Sequence, residues 1–251
     1  MKHLIIVLTF WSILASHAAS GLAQNKSDED HRGLKRWSIS YCIGSTSSGP
    51  ASDIEKAMRA GGFNDDTEVG GLFGGGEAIA YPSSKTGFGE TGFPMLFELH
   101  YLIKPYFSIG AIISNSPIGQ TFGYHDPLCF LSIEYSVATY APVFSVRAGV
   151  LQLGIGPAWN VMKATRSDGG GVSPVEKVKK LGILLDFGLG IPRNSRFFVE
   201  LKVQYRSVGK IEIGPYESTW ETEFEKASAT FPRSKVNYDH LFYGIGVGFR
   251  L

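Results

Sequence analysis

Beyond its first 23 residues this chain of 251 residues contains no run of 18 apolar residues, so a membrane-spanning helix is excluded from the rest of it. It is also poor in charge, with Asp, Glu, Lys and Arg making up 19% of the residues. The 24 Lys and Arg against 23 Asp and Glu leave a net charge of +1, and no basic field is available to gather nucleic acid. Cysteine is nearly absent. Cys42 and Cys129 are too few for a disulfide framework and are expected to be unpaired. The six histidines follow no metal-ligand spacing, and no glycine run opens a strand-to-helix phosphate loop, so no metal or other cofactor is expected. What the chain has in abundance is glycine (31) and aromatic residues (17 Phe, 11 Tyr, 4 Trp), a composition of many short strands and turns.

The N-terminus reads as a leader. Lys2 and His3 precede the apolar run Leu4 to Leu14, and a small-residue stretch follows, with Gly21 and Ala23 at the spacing of a cleavage site. Residues 1–23 are therefore predicted to be a secretory signal peptide, leaving 24–251 as the mature domain. Exported without a later spanning helix, that domain is either soluble outside the cytoplasm or inserted as a closed β-barrel.

Period-2 alternation dominates the mature chain. Odd-numbered apolar faces recur in eight segments, such as Trp37 to Ile43, Phe93 to Ile103, Phe107 to Ile113, Leu131 to Val137 and Leu151 to Val161. The other three are Leu181 to Ile191, Phe197 to Tyr205 and Leu241 to Leu251. Connections alternate between long (45–92, 115–127, 165–178, 210–236) and short, so the long ones share one end, as in a barrel that crosses an outer membrane. Charge decides which face meets lipid. A Lys or Arg turned to mid-bilayer costs about 2–4 kcal/mol, so the even-numbered charges must point inward. A soluble barrel gives the same alternation with the faces exchanged. The aromatic residues favour the membrane, because Trp37, Tyr101, Phe107, Phe197 and Phe249 gather near the short-turn end and Phe93, Trp159 and Tyr205 near the other, as two girdles. The fold class predicted is thus an all-β, eight-stranded antiparallel up-and-down transmembrane barrel with long extracellular loops.

The C-terminal stretch Tyr243-Gly-Ile-Gly-Val-Gly-Phe-Arg-Leu251 resembles the closing strand of bacterial outer-membrane β-barrel proteins, and the layout of the mature chain is similar to that of their small eight-stranded, outer membrane protein A-like members. The resemblance implies a cell outer membrane location, outer-membrane lipid around the barrel and a barrel-assembly machinery that reads the last strand. In that family the final residue is usually aromatic. Here it is Leu251, with Phe249 two positions earlier on the same face.

An eight-stranded barrel is only wide enough for its own side chains. A lumen plugged by a charge network of Glu98, His100, Glu134, Asp186, Glu200, Lys202, Arg206 and Arg250 is therefore expected. Glycines at 182, 188, 190, 244, 246 and 248 would leave room for the long side chains of the seventh strand between them. In the first long loop Ser52 and Glu55 have capping-box spacing, Gly61 is a stop signal and Ile54, Ala57 and Met58 form an apolar stripe, which predicts one short helix. The loop 210–236 carries Trp220, Phe224 and Phe231 among glutamates, and this loop and 45–92 are the places for an extracellular partner. Glu98 and His100 with Ser132 or Ser136 are the only sign of a hydrolytic triad, and both His100 and His240 fall on the inward face rather than at the rim, so no enzyme is expected. The function predicted is a structural or surface-interaction role. A narrow conduit or binder for small apolar molecules and a lipid-modifying enzyme are the alternatives.

Overall fold

A computed structural model describes residues 36–47, 49–64, 67–69, 77–79, 82–86, 92–104, 106–125, 129–168, 171–192, 195–221 and 226–251. The expected leader, 1–23, and Phe224 lie outside the described residues. The strands are β1 (Trp37–Thr46), β2 (Thr67–Val69), β3 (Glu77–Ile79), β4 (Ser83–Thr86), β5 (Met95–Lys104), β6 (Phe107–His125), β7 (Cys129–Ala148) and β8 (Leu151–Asp168). They continue as β9 (Gly171–Ile191), β10 (Phe197–Ser207), β11 (Lys210–Ile213), β12 (Tyr216–Glu221), β13 (Lys226–Phe231), β14 (Ser234–Asn237) and β15 (His240–Arg250). One helix, α1 (Ala51–Ala60), follows β1.

Eight strands close a ring in the order β1, β5, β6, β7, β8, β9, β10, β15 and back to β1, every pair antiparallel. Closure removes the free edge that a sheet would otherwise present. The β7–β8 hairpin turns through Gly149 and Val150, where Gly149 takes φ 65°, a conformation that glycine adopts without a Cβ clash.

The ring is lopsided. β1, β5, β10 and β15 have 10 or 11 residues, whereas β6, β7, β8 and β9 have 18 to 21. At ~3.3 Å per residue the extra 8–10 residues raise a wall roughly 30 Å along the strands on one side. The segments 115–127 and 165–178, expected as loops, are mostly strand in that wall, and β6 and β7 pair as far as His125 and Cys129. The reason is a second apolar core. The inner surface of the wall (Ile118, Leu131, Ile133, Tyr135, Val137, Met162) packs against Ile54, Ala57 and Met58 of α1 and against Val208, Ile211, Tyr216, Phe231, Val236 and Tyr238. Burying this surface requires the strands to continue past the ring.

This cap corrects one expectation. The helix lies where it was predicted and buries its apolar stripe, but its N-cap is Pro50, and no side chain caps it. Instead of a Ser52–Glu55 box, the Asp53 carboxylate accepts the Asn237 backbone N–H at 3.0 Å and so ties α1 to β14. In the second long loop Phe231 is fully buried and stacks on Tyr216 with centroids 5.4 Å apart. Burial holds the Tyr216 and Tyr238 phenols well above their ordinary range, so both stay neutral.

The larger correction concerns β7. Its odd residues, expected to face lipid, face inward from Cys129 to Ser145, while Tyr140, Pro142 and Phe144 point outward. Each face of β7 is apolar over one half only, the outer face where Tyr140, Pro142 and Phe144 meet the membrane and the inner face where Leu131, Ile133, Tyr135 and Val137 meet the cap. A bulge in β6 between Pro117 and Gly119 also changes phase, with Ile118 and Gly119 both buried.

Candidate functional site in the barrel interior

Strand β10 sends Glu200, Lys202, Gln204 and Arg206 inward, because the residues between them, Val199, Leu201, Val203 and Tyr205, are exposed apolar or aromatic side chains on the outer surface. The Lys202 ammonium is fully buried and sits among three carboxylates, 2.8 Å from Glu98 Oε2, 2.9 Å from Glu200 Oε1 and 3.1 Å from Asp186 Oδ2. Gln204 Nε2 donates to Glu98 Oε1 at 3.1 Å and to Asp186 Oδ1 at 2.8 Å. Its Oε1 accepts from Arg206 Nη2 at 2.8 Å, and Arg206 Nη1 donates to Ser116 Oγ at 2.7 Å. The Arg206 guanidinium also lies over the Phe242 ring, 5.4 Å from its centroid.

On the other side His100 Nε2 is 3.2 Å from Glu98 Oε2 and 3.2 Å from Gln152 Nε2. Gln152 Oε1 accepts from Arg147 Nε at 2.8 Å, and Arg147 Nη2 donates to Ser38 Oγ at 3.1 Å. One connected set of polar side chains therefore crosses the interior from β1 and β7 to β6. The Lys202 charge is met by three carboxylates and Gln204 bridges Glu98, Asp186 and Arg206, whereas Arg206 has no carboxylate within ion-pair distance, and its Nε and His100 Nδ1 are without a partner among the described residues. Arg147 was not among the expected interior residues. It shares the odd-numbered phase of β7, so its inward direction was hidden by the same reversal.

Two of the expected interior residues lie elsewhere. Glu134 is exposed on the outer face of β7, opposite Thr165, because β7 has the reverse phase. Arg250 stands at the short-turn end, where it donates to the carbonyls of Pro192 and Ser195 at 3.0 Å each and covers the Phe198 ring at 4.1 Å.

The glycines divide by what they face. A Cβ at Gly188 would come within 2.6 Å of Glu200 Oε1 and 3.1 Å of Lys202 Nζ, so the missing side chain makes room for the lysine cluster. Gly246 and Gly248 make room instead for Cys42 and the Phe198 ring, and Gly182 approaches the Ser207 carbonyl. Beside the charges and at the same levels, with Ile112 opposite Glu98, Phe242 opposite Gln204 and Leu184 opposite Arg206, the residues Cys42, Leu96, Ile112, Ala141, Val143, Ala158, Leu184 and Phe242 form a buried apolar cluster. Cys42 and Cys129 are both free thiols and buried.

Outside, the aromatic residues named from the sequence pair across strands at the short-turn end. Trp37 and Tyr101 have centroids 4.8 Å apart, Phe197 and Phe249 4.9 Å, and Phe107 adds Phe144 at 5.6 Å. Nearer the long loops Phe93, Trp159 and Tyr205 are exposed, with Tyr140 opposite Trp159. Between the two ends Phe97, Ile113, Ile155, Ile183, Leu201 and Ile245 present an apolar outer surface. The groups considered for hydrolysis are engaged separately. His100 contacts Glu98 and Gln152, Ser132 Oγ accepts from Gln120 Nε2 at 2.9 Å, and His240 Nδ1 lies 2.9 Å from the Tyr238 carbonyl. Among the described residues no three His, Cys, Asp or Glu side chains gather as metal ligands would.

An edgeless antiparallel ring, apolar outside and charged within, with short turns at one end and long connections at the other, defines a transmembrane β-barrel of the outer-membrane type. No protein-family model and no curated protein matches the chain. Among solved structures it is similar to the outer membrane protein OprG of Pseudomonas aeruginosa, at 13% identity over 88% of this chain and 100% of that one, with a TM-score of 0.44. It is also similar to the Neisserial surface protein NspA, at 11% identity, 86% and 97% coverage and a TM-score of 0.38. A third similar structure is the attachment invasion locus protein Ail of Yersinia pestis, at 16% identity, 86% and 100% coverage and a TM-score of 0.36.

Proposed function

We propose that this chain is an outer-membrane protein with a structural or surface-interaction role, its lumen closed by the Lys202 network and its outward end covered by the cap. The observation that carries this reading is the fully buried Lys202 ammonium held by carboxylates from β5, β9 and β10 within a ring of eight strands. The apolar cluster around Leu96 and Phe242 packs beside it, and the core of the cap lies toward the long connections. A conduit for small apolar molecules would need an open interior, and these side chains stand in its path. The leader of residues 1–23 would deliver the chain for export, and the β15 strand would be read by a barrel-assembly machinery. Partners outside the cell would meet the loop regions 45–92 and 210–236, where Glu212, Glu217, Glu221 and Thr219 are exposed on β11 and β12.

The test is reconstitution of the full mature chain into planar bilayers, with heat-modifiable gel mobility as proof of insertion. The wild type should pass no steady ionic current, and Lys202→Ala combined with Arg206→Ala should raise the baseline conductance. Steady conductance by the wild type would refute the closed lumen, and recovery of the mature chain soluble without detergent would refute the membrane placement.

A further inference from the structure

Three lysines stand together on the outer surface of the wall, just above the level at which the ring closes. Ile183 pairs with Ser207 at the top of β10, and Met95 pairs with Asn115 at the start of β5, so the complete ring ends near these positions. On β8 and β9 the outward residues at that height are aromatic and apolar. Trp159 lies between Tyr140 and Leu181, and all three are exposed. Continuing away from the ring, Lys179 lies opposite Val161, and Lys163 lies directly opposite Lys177. All three lysines are exposed, and among the described residues none has a side-chain hydrogen bond or ion pair.

Like charges directly opposite one another across a ladder repel. The facing groups offer little relief. Ser136 is the β7 neighbour of Lys163, and Glu134, one step diagonal to it, is the acid on that outer face. Lys180 has the opposite phase, across from buried Asn160, and its Nζ donates to the Lys210 carbonyl at 2.8 Å, so it does not join this strip. A strip of at least +3 with one neighbouring carboxylate therefore lies within two to four residues of the Trp159 and Leu181 level, roughly 7–13 Å along a tilted strand. That is the depth of lipid headgroups when the aromatic residues mark the edge of the hydrocarbon, and the flexible lysine stems can bend to reach it.

We propose that Lys163, Lys177 and Lys179 form a seat for the phosphate groups of lipids in the leaflet nearest the long loops. The seat rests on the membrane placement of the barrel but not on the closed lumen or on any extracellular partner. Its occupant neutralises the Lys163–Lys177 repulsion while its acyl chains lie against Trp159, Leu181 and Ile183. An acidic protein or a free anion would also meet the charge. Only a lipid would meet the charge and the apolar surface beneath it together.

The experiment inserts the mature chain into phosphatidylcholine vesicles doped with phosphatidic acid, whose phosphomonoester is the probe, extracts it into mild detergent micelles and counts the phosphatidic acid that stays with each barrel. The wild type should retain it over phosphatidylcholine. The triple variant K163Q/K177Q/K179Q should bind it on the order of 100-fold more weakly, and K177Q alone about fivefold more weakly, which serves if the triple variant does not insert. Inorganic phosphate at equal concentration should not displace it. Equal retention by wild type and variants, or displacement by inorganic phosphate, would overturn the seat while heat-modifiable mobility shows the barrel intact. Loss of that mobility in the wild type would instead overturn the membrane placement and the seat with it.

Discussion

Gly188 and Lys202 are direct partners across the β9–β10 ladder, and a side chain on the glycine would press on Glu200 Oε1 at 2.6 Å and on the Lys202 ammonium at 3.1 Å. Gly188→Val places new atoms against Glu200 and Lys202. Overpacking of this kind costs about 1–3 kcal/mol. Urea unfolding in detergent micelles should show a loss in that range, and an unchanged midpoint would mean that the cluster yields freely.

The lysine is predicted to be worth more when it is removed than when it is paired. Lys202→Met leaves Glu98, Asp186 and Glu200 without their common cation, and breaking a buried pair typically costs about 3–5 kcal/mol. Adding Glu98→Gln should recover part of that loss because one uncompensated charge disappears. A double variant no more stable than Lys202→Met, measured by the same unfolding titration, would contradict the coupling.

Leu201 alternates with those charged residues and is exposed on the outer surface. For a membrane barrel Leu201→Arg should destabilise by about 2–4 kcal/mol when lipid surrounds the protein. On a water-facing surface the same change would be nearly neutral. Folding titrations into liposomes separate the two outcomes.

The cap is predicted to loosen without the ring. Phe231→Ala removes a fully buried ring stacked on Tyr216, and large-to-small changes of this kind cost about 3–5 kcal/mol. Limited proteolysis should then cut within 210–236 while heat-modifiable mobility is retained. The thiol of Cys129, within 3.4 Å of the Ser218 carbonyl of β12, should become reactive to maleimide as the cap opens, whereas Cys42 inside the ring should not.

Much of this barrel could be read along the chain wherever one face of a strand carried charge and the other did not. On β10, Glu200, Lys202 and Arg206 alternate with Val199, Leu201 and Val203, and a wrong phase would have put ions in hydrocarbon, so the direction of every side chain followed. The same holds for Glu98 and His100 on β5 and for Asp186 on β9. These strands contain most of the Lys202 cluster, which is why its principal members were apparent in advance. Their exact partners were not, since Gln204 and Gln152 join the charges through geometry that spacing does not encode.

On β7 alternation determined which residues share a face and nothing more. Leu131, Ile133, Tyr135 and Val137 alternate with Ser132, Glu134 and Ser136, and charge alone would turn Glu134 inward, yet this half of β7 rises past the ring, where an outward carboxylate meets water. The folded structure reverses that phase, because the cap of α1 and β11–β14 supplies an apolar partner inside the wall while the membrane supplies another outside below it. Glu134 and Arg147 took their places from that choice, one turned out of the interior and the other into it. The order of residues alone implies a closed eight-stranded barrel and the charged side of its unambiguous strands. The height of the wall, the bulge at Pro117 and the orientation of β7 depended on surfaces that meet only once the chain has folded.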